Sequence, residues 1–423
     1  MPRERKGGSL WRHRDFLLLW SGQTVDQFGT QVSWLAVPMI AIVTLHASKF
    51  EVAALSAAGA LPVLLVSLPA GALVDRTRRR PLMIVCAAGS ALAMGSIPLA
   101  SALGGVTLLQ LYLVAMAVGA FGVCFSAAAG SLPFALLGPE QLVEANGRMN
   151  TARGLAEMAG PSAGGFLVGL LGAARAVGID AVSYVFSAVT LLAMRFREPE
   201  AGPRPPGARL RTEVAEGLRL VLRHPLLRVV VLANGMAGFL LAGVSSLWLL
   251  YVITGLHWSP RVAGLVYGLS VIGGVVASMG AKAIIDRLGM SRAVILGAFC
   301  SAPLEMVTPL VSRGPAGEWI VGVAFAALTA AGMVNMTATM SLRQLICPPD
   351  MQGRMSATNR FLSQGLRFLG PLVAGGLGTW IGLRPTLALL AGSTLLWSAT
   401  LFLSPIRTMR EVPVHEAYAG VTA

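Results

Sequence analysis

Between positions 23 and 34 an otherwise apolar stretch carries Gln23, Asp26, Gln27, Thr30, Gln31 and Trp34. The spacing i, i+3, i+4, i+7, i+8, i+11 puts all of them on one face of a helix. In hydrocarbon such a stripe must face a water-filled cavity or other helices, because its polar groups are costly to desolvate. Glu157, Arg367 and Arg153 are further ionisable residues inside apolar runs. Counted from residue 16 at about 1.5 Å per residue, Asp26 lies roughly 15 Å deep, near a bilayer centre. Glu157 and Arg367 reach comparable depth. A carboxyl withdrawn from water is a candidate for proton exchange near neutral pH. Asp26 and Glu157 are therefore the proton-coupling candidates, with Arg153 and Arg367 as basic partners. The competing reading is a carboxylate fixed in an ion pair that serves packing only.

The surrounding elements are membrane spans. The chain of 423 residues is 55% hydrophobic and 12% charged, with mean hydropathy +0.70, whereas a soluble domain carries roughly 25% charged residues. About twelve runs reach the length of roughly 20 residues that a span requires. They cover 16–44, 52–74, 82–101, 106–132, 149–172 and 176–194, then 227–254, 262–285, 293–312, 318–340, 355–381 and 385–404.

A net charge of +14 raises nucleic acid as a partner, and the distribution of the charge argues against it. Most of the 33 Lys and Arg lie at the termini and in the loops after even-numbered spans; only Lys49, Arg175, Arg261, Arg313 and Arg384 occupy the opposite loops. That asymmetry predicts cytoplasmic termini and a cytoplasmic central loop. Thirty of the 33 are Arg, in keeping with a GC-rich bacterial genome and an inner-membrane location. Met1–Asp15 is basic and runs into the first span without a small-residue cleavage pattern, so a retained N-terminus is expected. The four cysteines (Cys86, Cys124, Cys300, Cys347) show no metal spacing. No phosphate-binding loop, HExxH or GxSxG is present, which leaves no support for an enzyme, a metal or a bound cofactor.

Landmarks recur through the chain. Asp75-Arg76 returns as Asp286-Arg287 after 211 residues, Gly147-Arg-Met as Gly353-Arg-Met after 206, and Gly160-Pro161 as Gly370-Pro371 after 210. Two copies of one half inside an apolar chain point to a transporter built from related bundles. The expected division is an N-terminal segment 1–15, a six-helix bundle 16–194, a linker 195–226, a second bundle 227–404 and a tail 405–423. Within the linker, Glu198–Gly207 is Pro/Gly-rich. Leu210, Val214, Leu218, Val221 and Leu222 then share a helical face, predicting an amphipathic helix on the membrane surface.

The segment Gly71-Ala-Leu-Val-Asp75-Arg-Thr-Arg-Arg-Arg80 resembles motif A of the major facilitator superfamily, with Asp286-Arg-Leu-Gly-Met-Ser-Arg292 as a degenerate copy. Leu19-Trp-Ser-Gly-Gln23, Pro139-Glu-Gln-Leu-Val-Glu-Ala-Asn146, Ile179-Asp-Ala-Val-Ser183, Glu216-Gly-Leu-Arg219 and Gly382-Leu-Arg-Pro-Thr386 resemble its macrolide-efflux and enterobactin-exporter branch. The resemblance spans nearly the whole chain. It implies an all-α polytopic fold of about twelve helices in two pseudo-symmetric six-helix bundles. It also implies a gating role for Gly71, Asp75, Arg76, Arg79, Arg80, Asp286 and Arg287; the alternative is that the Arg residues only set topology.

Gly147, Ala156, Gly160, Pro161, Gly164 and Gly165 resemble the antiporter motif of the family, with Ala156 in place of one Gly. Small residues at these spacings let helices pack backbone to backbone, and Pro bends the helix. The resemblance implies export. One departure weakens the proton assignment: the family's span-4 Arg is replaced by Ala115, with Arg153 or Arg367 as the available substitutes.

Phe121, Phe125, Trp34, Trp248, Tyr251, Asn335 and Met336 fall on spans that line the cavity in the repeat scheme. With Gln23, Gln27 and Gln31 they are the substrate-cavity candidates, since aromatic and Met surfaces suit large amphipathic ligands. Asp180 reads as a helix-start residue, and Glu305 has no assigned role. Aligning the Gly-Pro pairs makes Glu157 and Arg367 equivalent positions, able to attract across a cavity, with a local Arg153–Glu157 pair as the rival arrangement.

The resulting expectation is a monomeric, proton-driven exporter of an amphipathic small molecule, embedded in membrane lipid. A siderophore exporter, a lipid or lysolipid translocase and a non-transporting sensor are the alternatives. The sensor fits poorly with ionisable residues at midplane depth on several helices.

Overall fold

Backbone amides that leave water must pair within their own segment, so long apolar runs fold as helices. The computed structural model describes residues 10, 13–137, 139–196, 198, 225–346 and 352–402. The linker's amphipathic helix, Cys347 and the C-terminal tail lie outside the described residues. In order, the chain forms α1 (Arg14–Met39), α2 (Lys49–Arg76), α3 (Arg79–Ala102), α4 (Leu108–Leu136), α5 (Pro139–Leu171), α6 (Ala173–Ala193), α7 (Pro225–Leu250), α8 (Pro260–Leu288), α9 (Met290–Leu310), α10 (Pro315–Ile346), α11 (Gln352–Ile381) and α12 (Leu383–Phe402). Among the described residues, α1 to α10 are long and apolar enough to cross a membrane, and no strand occurs. Helix α5 starts ten residues before the span expected at 149. Pro139 suits a first helical position, and the polar stretch after it lengthens the helix beyond its apolar part.

Helix ends repeat as faithfully as the sequence landmarks do. Ser48 and Glu51 cap each other's amides at the start of α2, at 3.3 and 2.7 Å, which is a capping box. Ser259, 211 residues later, accepts from the Val262 amide at 3.3 Å at the start of α8. Both α1 and α7 end in a π turn, at Ile40–Thr44 and Tyr251–Gly255. The Leu45 amide bonds the Ile40 carbonyl at 3.0 Å, and Leu256 bonds Tyr251 at 3.1 Å. Each turn is followed by a histidine in left-handed backbone, His46 at φ 50° and His257 at φ 59°, a conformation uncommon outside glycine.

The chain divides into two compact units. The first contains Met1–Ala47, Ala58–Pro203 and Ser259–Gly268; the second contains Ser48–Ala57, Arg204–Trp258 and Leu269–Ala423. This departs from a plain division of the spans after residue 194: the opening turns of α2 and of α8 each group with the other half. Missing side chains explain why. A Cβ on Gly165 of α5 would lie 3.0 Å from Gly264 Cα at the start of α8, and one on Gly375 of α11 would lie 3.2 Å from Phe50 Cα in α2. Only glycine allows backbones this close.

Within the first unit, α1 packs on α6 and α5, and α3 on α4 and α6. Leu19, Val74, Met83, Leu132, Leu191 and Met194 form an apolar cluster toward one end. In the second unit, α7 packs on α11 and α9 on α10 and α12, with Ala277, Ala281, Val294, Val334 and Ala338 forming a core of small side chains.

Candidate functional site

The first unit holds a cavity of about 250 Å³ between α1, α4 and α5. Helix α1 contributes Trp20, Gln23, Thr24 and Gln27; α4 contributes Phe125 and Ser126; α5 contributes Asn146, Met149, Asn150 and Arg153. Carboxamides, hydroxyls and one guanidinium thus share a surface with two aromatic rings and a thioether. Such a lining pairs with a ligand that has both polar groups and an apolar face. Arg153 Nε pairs with Glu157 Oε1 at 3.0 Å within α5, so the local arrangement is the one formed. Arg367 lies in the second unit, exposed on α11.

The polar stripe of α1 does not face a single environment. Gln23 and Gln27 line the cavity. Gln31 lies against Gly160 of α5, where a Cβ would overlap it. Trp34 stacks on Tyr267 of α8 with ring centroids 4.3 Å apart. Thr30 is 3.5 Å from the Tyr184 hydroxyl on α6. Asp26 turns away from the cavity and is buried against α6, at 8% exposure.

Across from Asp26 lies Asp180, 0% exposed. Its reading as a helix-start residue is corrected here: α6 is capped by Gly172 and begins at Ala173, and Asp180 lies within the helix. Gly29 of α1 admits it, since a Cβ there would collide with Asp180 Oδ1 and the Ser183 side chain. Ser183 Oγ donates to Asp180 Oδ1 at 3.1 Å. The two carboxyls act on each other electrostatically, and Asp26 Oδ1 and Asp180 Oδ2 have no hydrogen-bond partner. Sequence reasoning passed over this juxtaposition. Its available signal was the small-residue pair Gly22 and Gly29 on α1 facing Ser183, Ser187 and Thr190 of α6.

The antiporter-motif residues act as contact surfaces. Gly160 and Gly164 meet α1 at Gln31 and Val32, whereas Pro161 and Gly165 meet the start of α8 at Gly264. Ser162 Oγ donates to the Gly264 carbonyl at 3.3 Å. Gly147 has open space around it.

At the motif A end, Gly71 lies in α2, and the Asp75 and Arg76 side chains lie outside the described part. Arg80 donates from Nε to the Leu191 carbonyl at 2.8 Å and from its terminal nitrogens to Phe196 and Leu192 at 3.0 Å. These are carbonyls at the C-terminus of α6 and just beyond, where few intrahelical donors remain. Glu198 in turn caps α3: its Oε2 accepts from the Arg79 amide at 2.6 Å, and Oε1 is 3.5 Å from Arg79 Nε. In the second copy, Asp286 is 3.7 Å from Lys282 in an exposed pair, and Arg287 is exposed.

The remaining cavity candidates divide. Phe125 lines the cavity. Phe121 lies over Gly89 of α3. Trp248 and Tyr251 are buried in the second unit, Trp248 packing on Phe325 at 5.2 Å and on Trp258 at 6.5 Å. Asn335 donates to the Val294 carbonyl at 2.6 Å and so ties α10 to α9. Met336 is exposed. Glu305 is buried and accepts from Thr394 Oγ1 at 2.9 Å, a hydrogen bond that joins α9 to α12. Among the described residues no group of three or more His, Cys, Asp and Glu could hold a metal ion.

Comparison with known proteins places this geometry in context. A family model described as Major Facilitator Superfamily matches residues 19–371 and 230–420. The chain is 25% identical to the multidrug efflux pump Tap of Mycolicibacterium fortuitum over 93% of its own length and 96% of that protein. It is 26% identical to the enterobactin exporter EntS of Escherichia coli O1:K1 / APEC, over 73% of this chain and 72% of that one. Among solved structures, a mutant of the nucleoside transporter NupG superimposes with a TM-score of 0.78 at 13% identity, covering 92% of this chain and 99% of that one.

Proposed function

Because the chain belongs to the Major Facilitator Superfamily and is a multi-pass membrane carrier, we propose that it exports amphipathic organic compounds in exchange for protons, by alternating access. The observation that carries this reading is the cavity of the first unit. It combines amides with aromatic and thioether surface, and it lies on the same helix as the buried Asp26. The surface offers hydrogen bonds in many directions and few fixed charges, which suits ligands that share amphipathic character more than one exact shape. Relatives named as a multidrug pump and as an exporter support the outward direction. The basic residues gathered at the termini and in even-numbered loops support a bacterial cytoplasmic membrane with both termini inside.

Reconstituted vesicles with ethidium supplied in the outer medium test the reading. An imposed pH gradient should drive wild-type protein to concentrate the dye. Asp26→Asn should abolish that uphill movement and leave downhill exchange intact, because the amide keeps the size but carries no titrating proton. Wild-type transport indifferent to the gradient refutes proton coupling; an Asp26→Asn protein that concentrates dye as well as wild type removes Asp26 from the mechanism. The 26% identity to EntS favours siderophore export as the second reading, and competition of dye transport by a catecholate siderophore separates the two.

A further inference from the structure

Two carboxyl groups are sealed between α1 and α6, although one would suffice to carry a proton. Asp26 and Asp180 are both more than nine-tenths buried and act directly on each other. Asp180 Oδ1 is held by Ser183 at 3.1 Å, while Asp180 Oδ2 and Asp26 Oδ1 meet no donor. Ser33 of α1, 4% exposed, adjoins the Asp180 carboxyl, and its hydroxyl has no well-formed hydrogen bond. The large majority of buried polar side-chain atoms in folded proteins are paired, and those that are not call for an explanation. Two buried carboxyls, Asp180 lying against Gly29 one helical turn from Asp26, with orphan oxygens and an idle hydroxyl beside them, are thus an incomplete constellation.

Among the described residues the surrounding helices bring no cation to complete it: Arg175, near the start of α6, is exposed, and Arg148 of α5 pairs with Glu144. On α6 the neighbouring titratable group is Tyr184, which acts on both acids and reaches Thr30 at 3.5 Å. Helix α4 carries no charged residue. Helix α3 offers Cys86, which faces Cys124 of α4, and Arg79 and Arg80, both engaged at the far end with Glu198 and the end of α6. On α5, Arg153 and Glu157 are joined to each other. Two carboxylates close together at low dielectric repel, and like charges sharing a site do not both ionise together.

We propose that Asp26 and Asp180 form one cation site that holds a single proton between them, and that this pair is the coupling site of the transporter. On uptake, an O–H bond forms on one carboxyl; the other remains a carboxylate, accepts the hydrogen bond from it, and is also in reach of the Ser33 hydroxyl. On release that O–H bond breaks, the proton leaves to water, and the pair must separate or admit solvent to bear two charges. The Gly29 contact makes α1–α6 packing the quantity that occupancy would change. The inference rests on the proton-coupled reading above and adds Asp180 and Ser33 to it.

The test is a pH titration of the carboxyl C=O infrared band on the purified full-length chain, taken as differences between wild type and variants. In wild type the pair should titrate in two separated steps. Asp26→Asn and Asp180→Asn should each leave a single step, and the wild-type curve should not equal the sum of the two variant curves. A sum that reproduces wild type shows independent acids and overturns the pair, as does the absence of any titration at these residues. Replacing sodium by choline should change nothing; a titration that depends on sodium would assign the site to a metal cation instead. If either Asn variant fails to elute as a monodisperse protein, Ser33→Ala decides, since it keeps both acids. It should move the steps, and unmoved steps overturn the proposal. Ethidium uptake under a pH gradient keeps the two readings distinct. Wild-type protein that ignores the gradient sinks proton coupling itself. A driven wild type with an equally driven Asp180→Asn sinks only the pair.

Discussion

The two copies of motif A share a sequence pattern and differ in what surrounds it. At the α2–α3 junction, Arg80 closes three carbonyls at and beyond the end of α6, and Glu198 caps α3. The α8–α9 junction instead has a glycine N-cap, Gly289 at φ 82°, and an exposed pair, Lys282–Asp286. The position equivalent to Gly289 is Arg78, which caps α3 in ordinary extended backbone. A repeated motif is therefore not a repeated device. What turns the first copy into a fastening is Glu198, 119 residues from Arg79 and outside the motif altogether.

The sharpest way to break this comparison is to truncate the guanidinium that does the fastening. Arg80→Ala removes three hydrogen bonds to carbonyls at and just beyond the end of α6 and should cost about 2–4 kcal/mol, seen as the largest fall in Tm of the detergent-solubilised protein. In the second copy, where the position equivalent to Arg80 is Ser291, the exposed motif arginine Arg287 fastens nothing of this kind, and Arg287→Ala should leave Tm within error; an equal fall would erase the distinction between copies. Glu198→Gln comes next. It keeps an acceptor but removes the charge at the α3 N-terminus, so a loss of about 1 kcal/mol is expected, with the gap to wild type narrowing as salt is raised. Salt-independence would mean that Glu198 acts by shape alone. Gly289→Ala should cost about 1 kcal/mol because a left-handed backbone is strained for an L side chain, and Arg78→Gly should show no comparable backbone penalty. The smallest effect belongs to Lys282→Ala, where an exposed i,i+4 pair is removed and calorimetry should register no shift.

The twelve-helix plan was legible because each span must satisfy its own amides, so hydropathy reports it directly. The repeat was legible too, and the helix caps at Ser48 and Ser259 extend it. What the sequence could not convey was rotational phase. The stripe from Gln23 to Trp34 was read as one face, and its periodicity is correct, yet a helical period does not say which neighbour lies under each sector. Gln27 faces a cavity, Gln31 faces Gly160, and Asp26, at the edge of the stripe, faces α6. Trp248 had the right span and the inward sector of a packed bundle. Asp180 was misjudged because its depth was measured along the chain, whereas its burial comes from Gly29 on another helix.

The paired π turns bear on ancestry. A π turn amounts to one residue inserted into an α-helix, an uncommon event. Here two such insertions lie 211 positions apart, each sealed by a left-handed histidine. Acquiring the same insertion and the same terminating residue twice would require two coincident events. One ancestral six-helix unit that already carried the insertion before it doubled requires only one. The irregularity is thereby older than the chain that contains it, and its retention in both descendants marks the ends of α1 and α7 as places where a plain α-helix has not replaced it.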